Sequence, residues 1–489
     1  MGDTQFALGF DFGTESVRVV VVDLRSGDAV GVSTRNYAHG VLDAKLPGGT
    51  PLPPDYALQY PQDWLDGAVG ACKDALKQAA ATPEQIVGIG VDFTSCTMLP
   101  CKADGTPLCL VSGFGNKPLA WPKLWKHHGA KSATDRINRV ARERNEPWLA
   151  RYGGTVGLEW FFPKMLETLE EAPEVFDAAE VWIEAGDWFV WQLVSGPFPR
   201  CAPSAIGRST CQAGYKGLWS PDGGFPSREF LKAVHPRLGD VVQTKMPGRL
   251  VAPGRPAGAL AAAAADAFGL RPGIPVSAAI IDAHAGVPGA GVADAGTMVL
   301  VLGTSACQML MDKQEHLVPG IAGIVRDGIL PGFYGYEAGQ ASVGDAFGWF
   351  VDALGLSHET LARDAAKLGP GSRGVLAIDW LNGCRTPLMD GRLSGAFIGL
   401  KLDTTPAQMY RALIEATGFG LRRIVDDLEA NGVAARDFVA CGGLASKAPL
   451  LMQVYADVLG REIRLAASDQ SVALGAAILG ALAAEPALT

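Results

Sequence analysis

The chain has no Cys-x-x-Cys pair, no run of basic residues, no apolar stretch of bilayer length and no Gly-Lys-Ser/Thr loop. Each absence closes a class. The nine cysteines are scattered, and Cys96, Cys101 and Cys109 lack the Cys/His spacing of a zinc site. Buried free thiols in a reducing compartment, the cytosol, are therefore expected. With a formal net charge of −9 and no basic patch, neither nucleic acid nor an anionic membrane is an expected partner. The most apolar late run, Val472 to Ala484, is rich in Ala and Gly and too short to cross a bilayer. The opening residues, Met-Gly-Asp-Thr-Gln-Phe, carry no signal-peptide pattern. The missing lysine rules out a Walker loop. Hydrophobic content of 48% against 19% charged residues excludes disorder. A length of 489 residues is about three times the ~150-residue domain norm and predicts two large domains.

What the chain does have begins at Leu8-Gly-Phe-Asp11-Phe-Gly13-Thr14-Glu-Ser16-Val-Arg18, followed by Val19 to Val22. An apolar strand enters a glycine turn and leaves as a β-branched run, which predicts a strand–turn–strand hairpin. Glycine lets an anion approach the backbone, amides and hydroxyls can hold phosphate oxygens, and an adjacent carboxylate can hold Mg²⁺. The pattern recurs in Met298-Val-Leu-Val-Leu-Gly303-Thr304-Ser305-Ala-Cys-Gln-Met-Leu-Met311, with Thr304 lying 290 residues after Thr14. Two equivalent hairpins imply a duplicated architecture with a ligand between the halves. Ordinary tight-turn chemistry is the bland reading of either hairpin alone, and the repetition argues against it.

Between the hairpins, Ile86-Val-Gly-Ile-Gly-Val91 predicts a buried strand ending in the polar loop Asp92-Phe-Thr-Ser-Cys-Thr97. Aromatic-rich segments follow at Trp121 to Trp125 and Glu159 to Lys164, then a loop-rich region over 197–226. The Pro/Gly-rich stretch from Val251 to Gly258 is expected to be the crossing between domains 1–252 and 253–489. Past it, the strand Ile274 to Ile281 delivers Asp282. A carboxylate there could accept a proton from a bound hydroxyl, or could cap a helix beginning near Ala283; on the residues alone both readings stand. Ala407 to Asn431 predicts a long helix, and Phe438 to Cys441 a strand broken by Gly442-Gly443 before a helix from Pro449.

Taken together, the two Gly-Thr hairpins, Asp282-Ala-His284 and the late Gly-Gly turn resemble the FGGY carbohydrate kinases over nearly the whole chain. The segment Gly395-Ala-Phe-Ile-Gly-Leu400 followed by Gln408 to Glu415 resembles that family's C-terminal signature, departing from it at Leu413. Further motifs resemble its ribulokinase branch: Gly90-Val-Asp92-Phe-Thr94, Leu124-Trp125-Lys-His-His128, Glu159-Trp-Phe161, Cys211-Gln-Ala-Gly-Tyr-Lys216, Glu337-Ala-Gly-Gln340 and Asp379-Trp-Leu-Asn-Gly-Cys-Arg-Thr386.

The resemblance implies a two-domain α/β fold of the actin/hexokinase-like, ribonuclease H-like ATPase kind, with a central cleft. It implies ATP and Mg²⁺ as cofactors, a small sugar or polyol as substrate, and a homodimer. The expected reaction is phosphorylation of a ketopentose terminal hydroxyl, L-ribulose to L-ribulose 5-phosphate first, with D-ribulose, xylulose or another polyol as alternatives. A non-catalytic actin-like nucleotide-binding regulator is the alternative of another class. In the family pattern Asp282 is the catalytic base and Asp11 the metal anchor. Gly13, Thr14, Ser16, Arg18, Gly303, Thr304 and Ser305 meet the phosphates, and Gly442 and Gly443 the adenosine. Trp125, Lys216, Asp282, Glu337, Ser95 and Cys96 meet the sugar, with Gln340 a weaker candidate. Lys216 is read within a glycine-rich loop, between Gly214 and Gly217. His284 is expected to be a satisfied structural histidine, and Phe93 and Met98 are bulky residues beside the sugar site.

Overall fold

The computed structural model describes residues 4–195 and 203–485; part of the loop-rich region expected over 197–226 and one of the nine cysteines, Cys201, lie outside them. The eight described cysteines are free, seven buried and Cys307 half-buried.

The first sheet is built from β1 (Phe6–Phe12), β2 (Ser16–Asp23), β3 (Ala29–Asn36), β4 (Ile86–Phe93), β5 (Pro256–Ala259), β6 (Pro275–Ser277) and β7 (Ile280–Ile281). Its order is β3-β2-β1-β4-β6-β5, with β7 also pairing β4. Strands β1 to β3 run antiparallel, and β4, β6 and β7 join in parallel. Continuous burial of β1, and of β4 in all but one residue, follows from their near-unbroken apolar sequences, since both faces are covered.

A second sheet holds β8 (Thr297–Leu302), β9 (Ala306–Asp312), β10 (Gly323–Arg326), β11 (Tyr334–Gln340), β12 (Asp437–Cys441) and β13 (Arg464–Leu465) in the order β10-β11-β9-β8-β12-β13. It repeats the first: three antiparallel strands around a hairpin, β11-β9-β8, then two parallel strands, β12 and β13.

Nine helices matter to the site. Along the chain these are α1 (Pro61–Ala79), α2 (Phe161–Glu171), α3 (Thr210–Gly217), α4 (Asp282–Gly289), α5 (Gly344–Leu354), α6 (Pro406–Ala430), α7 (Gly443–Lys447), α8 (Pro449–Leu459) and α9 (Ser471–Ala484). A capping box between Thr405 and Gln408, with Pro406 in the first turn, starts the 25-residue α6. Residues drawn from between Cys96 and Met246 form a separate core in which Trp160, Phe161, Phe162, Trp182 and Phe230 pack among aliphatic side chains.

Two features depart from the expected layout. Strands β5 to β7 pair into the first sheet, so that sheet runs past residue 252 and the chain leaves it only through α4. The Pro/Gly stretch at 251–258 is a turn between short strands, because Pro256 to Ala259 finds a partner in β6. The chain also returns: α9 follows the second sheet yet packs on β4 and β1 of the first and along α4. Small residues permit this contact. A Cβ at Gly90 would stand 1.7 Å from the carbonyl oxygen of Ala476, so strand and helix touch backbone to backbone.

Candidate active site

Strand pairing assembles an acid group at the C-terminal ends of the first sheet. Asp11 on β1 stands opposite Arg18 on β2 and beside Asp92 on β4. Since Ile280 is opposite Asp92 and Ile281 opposite Phe93, the next residue, Asp282, emerges at the same edge. The Arg18 guanidinium donates to Asp11 Oδ2 at 3.2 Å. Burial raises the Asp11 carboxyl, with Arg18 opposing.

Asp92, not singled out from sequence as a site residue, is fully buried. Burial, then the charges of Asp11 and Asp282, hold it well above the usual carboxylate range. Its oxygens meet no donor, and a neutral Asp92 can itself donate to Asp11. The sequence showed only an acid at the end of an apolar strand; its register with Asp11 is what the structure adds.

Asp282 opens α4, and its Oδ1 accepts the N–H of Ala283 at 2.7 Å. Burial raises this carboxyl to about 7, with Asp11 adding and the Ala283 amide and Lys216 opposing. The N-cap is Ile281, so Asp282 is the first helical residue and not the cap; a carboxylate so placed can accept a proton.

The first glycine hairpin is anchored by side chains. Gly13 N–H bonds the Ser16 carbonyl at 2.9 Å. Tyr37 Oη donates to the Gly13 carbonyl at 3.2 Å, and Gln59 Nε2 to the Thr14 carbonyl at 2.8 Å. Trp125 Nε1 donates to the Thr14 hydroxyl at 3.0 Å. In the second hairpin Gly303 N–H bonds the Ser305 carbonyl at 3.0 Å. Amides of Val343, Gly344 and Asp345, at the start of α5, hold the Gly303 and Thr304 carbonyls.

The Gly442-Gly443 turn lies against this second hairpin. Gly442 has φ +91°, and a Cβ there would sit 2.4 Å from the Leu302 carbonyl oxygen; Gly443 faces open space. The short helix α7 intervenes before α8, where the sequence predicted a single helix from Pro449.

Lys216 is not in a loop. Ser209, whose hydroxyl accepts from Cys211 N–H, starts α3, and Leu218 in the left-handed region ends it. Gly214 lies inside the helix because a Cβ would press on Val325 Cγ1 at 2.2 Å, so its glycine serves packing. Lys216 Nζ donates to both Glu337 oxygens at 3.0 Å and lies 5.3 Å from the Trp160 ring centroid. Burial lowers Lys216 to about 8, with Arg385 contributing. Glu337, buried on β11, also accepts from Arg385, a residue whose importance the sequence did not disclose.

His284 differs from the expectation of a satisfied histidine. Neither ring nitrogen has a hydrogen-bond partner; Nε2 is 3.5 Å from Glu337 Oε2 and the ring packs on Tyr215. Burial, with Lys216 and Arg385, holds it well below its usual pKa and therefore neutral.

Ser95 is half-buried, and Cys96 is buried with φ +48°. That left-handed backbone is uncommon for a side-chain-bearing residue. The buried ammonium of Lys164, on α2, holds it: Nζ donates to the carbonyls of Cys96 at 2.7 Å and Leu124 at 2.9 Å. One lysine thus ties the turn at Cys96 to the segment carrying Trp125. Burial raises the Cys96 thiol well above its usual range, so it is an inert wall. Phe93 and Met98 are fully buried, Phe93 stacked on Phe12. Gln340 Nε2 is engaged by Thr417 O and Asp379.

Known proteins match this arrangement along its length. The FGGY family of carbohydrate kinases, N-terminal domain, matches residues 6–289, and the C-terminal domain of that family matches residues 298–484. The chain belongs to the FGGY family of carbohydrate kinases. It is accordingly a phosphotransferase with an alcohol acceptor. It is 44% identical to a ribulokinase of Geobacillus thermodenitrificans over 98% of this chain and 86% of that one. A ribulokinase of Mycolicibacterium smegmatis is 43% identical over 99% and 86%. A xylulose kinase structure from Rhodospirillum rubrum, 22% identical with a TM-score of 0.79, covers 98% of this chain and 90% of that one, and shows the two-domain actin/hexokinase-like fold.

Among the described residues of this kinase, no group of three or more His, Cys, Asp or Glu side chains could hold a metal. Mg²⁺ needs none, since it keeps several waters and takes one or two carboxylates with substrate phosphates. Asp11, paired with Arg18, and Asp92, in register beside it with no hydrogen-bond partner of its own, fit that donor set. No described helix is long and apolar enough to cross a membrane.

Proposed function

We propose that this kinase transfers the γ-phosphoryl group of ATP to the terminal hydroxyl of L-ribulose. The substrate rests on the ribulokinases that it resembles at 43–44% identity. The mechanism rests on one observation: strand register brings Asp282 to the sheet edge that carries Asp11 and Asp92, where burial raises its carboxyl to about 7. Phosphoryl transfer asks a protein to position the acceptor, neutralise charge and take one proton. In this reading Lys216, Glu337 and the backbone at Ser95 and Cys96 hold the sugar hydroxyls, and the Trp125 ring covers its carbon face. Asp282 accepts the proton of the terminal hydroxyl as that oxygen attacks. Gly13, Thr14, Ser16 and Arg18 hold phosphate oxygens from one side, and Gly303, Thr304 and Ser305 from the other. Gly442 and Gly443 give the nucleoside close access to backbone. Asp11, through water and beside Asp92, would hold Mg²⁺, which neutralises phosphate charge when bound.

The functional division follows the sheets: we place it at α4, with α9 returning to the first unit. The test is ADP release with Mg-ATP across ketopentoses and polyols. Turnover that peaks with L-ribulose supports the reading. A peak on D-ribulose or xylulose moves the substrate and keeps the chemistry. No sugar-dependent turnover from a folded, ATP-binding chain favours the nucleotide-binding regulator.

A further inference from the structure

In the first hairpin the carbonyls of Gly13 and Thr14 and the hydroxyl of Thr14 are held by partners of different kinds. Tyr37 and Gln59, which hold the carbonyls of Gly13 and Thr14, are buried at 7% and 1% exposure. An occupant of the site cannot reach them. The Thr14 hydroxyl is held by Trp125, whose side is open at 36% exposure. The backbone behind Trp125 is fixed, because Lys164 holds the Leu124 carbonyl and Leu124 N–H bonds the Ala57 carbonyl at 2.9 Å. The open part of the residue is the indole ring itself.

From this arrangement we propose that Trp125 is a positioning residue linking the sugar to the phosphate hairpin: sugar packed against the ring holds its N–H on the Thr14 hydroxyl, at 3.0 Å, and so keeps that hydroxyl oriented toward phosphate. The inference deepens the reading above, taking Trp125 as the sugar wall and Thr14 as a phosphate contact. A hydroxyl that accepts from a fixed donor has its own proton confined to the remaining tetrahedral directions. Fixing the ring therefore fixes that proton before ATP arrives, and the ordering cost is met once for both ligands. Linkage makes the effect reciprocal: sugar tightens nucleotide and nucleotide tightens sugar by the same factor.

The experiment is calorimetry of a non-hydrolysable ATP analogue with Mg²⁺, with and without 5-deoxy-L-ribulose, which lacks the acceptor hydroxyl. In the parent enzyme the sugar should tighten the analogue by about tenfold. Trp125→Phe keeps a ring and loses the N–H; its coupling should fall to within about twofold while its own sugar affinity changes by less than about threefold. In turnover the same variant should lose kcat with little change in sugar KM. Thr14→Ser should retain coupling and Thr14→Val should lose it. Coupling that survives in Trp125→Phe, or that is absent from the parent, overturns the inference while L-ribulose turnover keeps the kinase reading. Loss of sugar affinity equal to the loss of coupling would make Trp125 only a wall and overturns it too. Absence of sugar-dependent turnover in the parent removes both.

Discussion

The hairpin at Gly13 and the hairpin at Gly303 share a strand, a Gly-Thr pair and a return strand, yet their surroundings differ. The first has acids at its base: Asp11 lies beside Asp92 across the parallel pair. In the second, Val301 occupies the place of Asp11 two residues before the glycine, and its parallel neighbour is Cys441. The second turn is also one residue tighter, closing from Gly303 to Ser305 where the first closes from Gly13 to Ser16. The first is held by long-range side chains, the second by the backbone amides at the start of α5. Duplication supplied the cradle twice; acids stand at the hairpin base in the first copy alone. The second copy contributes Glu337 and Arg385 from β11 and a neighbouring loop, and reaches the first through Lys216.

The acid side should dominate the rate. Asp282→Asn removes the proton acceptor and keeps the shape, so kcat should fall by about 10²–10⁴ while the affinity for an ATP analogue is unchanged. Steady-state kinetics with parallel calorimetry reads both, and a loss under tenfold would deny Asp282 its role. The second copy should fail through structure instead. Gly442→Ala places a Cβ 2.4 Å from the Leu302 carbonyl oxygen at φ +91°. It should cost about 3 kcal/mol of stability, read as a lowered denaturant midpoint. Gly443→Ala, facing open space, should cost less than about 0.5 kcal/mol. Equal costs at the two glycines would show that the turn is not locked against the hairpin.

How legible this was depends on the range of each contact. The hairpins and the place of Asp282 at a strand end could be read because they lie in consecutive residues: an apolar run, a glycine, an acid after a strand. Asp92 and Arg385 acquire theirs only from non-local pairing, Asp92 from its register with Asp11 and Arg385 from its reach to Glu337. Lys216 was misplaced because Gly214 and Gly217 look like loop residues, whereas Gly214 is small to admit Val325. The crossing at residue 252 misled because Pro and Gly mark turns within a sheet as readily as linkers. The return of α9 was invisible for another reason. A helix apolar on every side names no partner face, and its mates Gly88 and Gly90 advertise themselves by what they lack.

Two smaller tests sharpen the contrast between the hairpins. The first is pH. Asp282 must be deprotonated to act, and its free-enzyme carboxyl stands at about 7, faced by Asp11 and Lys216. The value of kcat/KM should therefore fall about tenfold per pH unit below 7 and level off above it, until Lys216, at about 8, loses its own proton. A profile flat from pH 5 to 7 would contradict a raised carboxyl. Stability runs the other way for this residue. Because its folded pKa exceeds the unfolded value of 3.8, its contribution is full below that value and is lost as pH rises through 7.

The smallest effect concerns anchoring. Tyr37→Phe removes the donor to the Gly13 carbonyl and leaves the ring, which should cost about 1 kcal/mol and loosen the first hairpin. The change should appear as a weaker KM for ATP with the sugar KM held, because the nearest phosphate contacts are in that turn. No side-chain deletion has the same leverage on Gly303, whose carbonyl takes a backbone amide from Gly344. That hairpin should respond instead to proline: Gly344→Pro deletes the amide, and its effect on ATP affinity should exceed that of Tyr37→Phe. If tyrosine and proline variants weakened ATP equally, the two hairpins would be anchored with equal strength, and the asymmetry would reside only in Asp11 and Asp92.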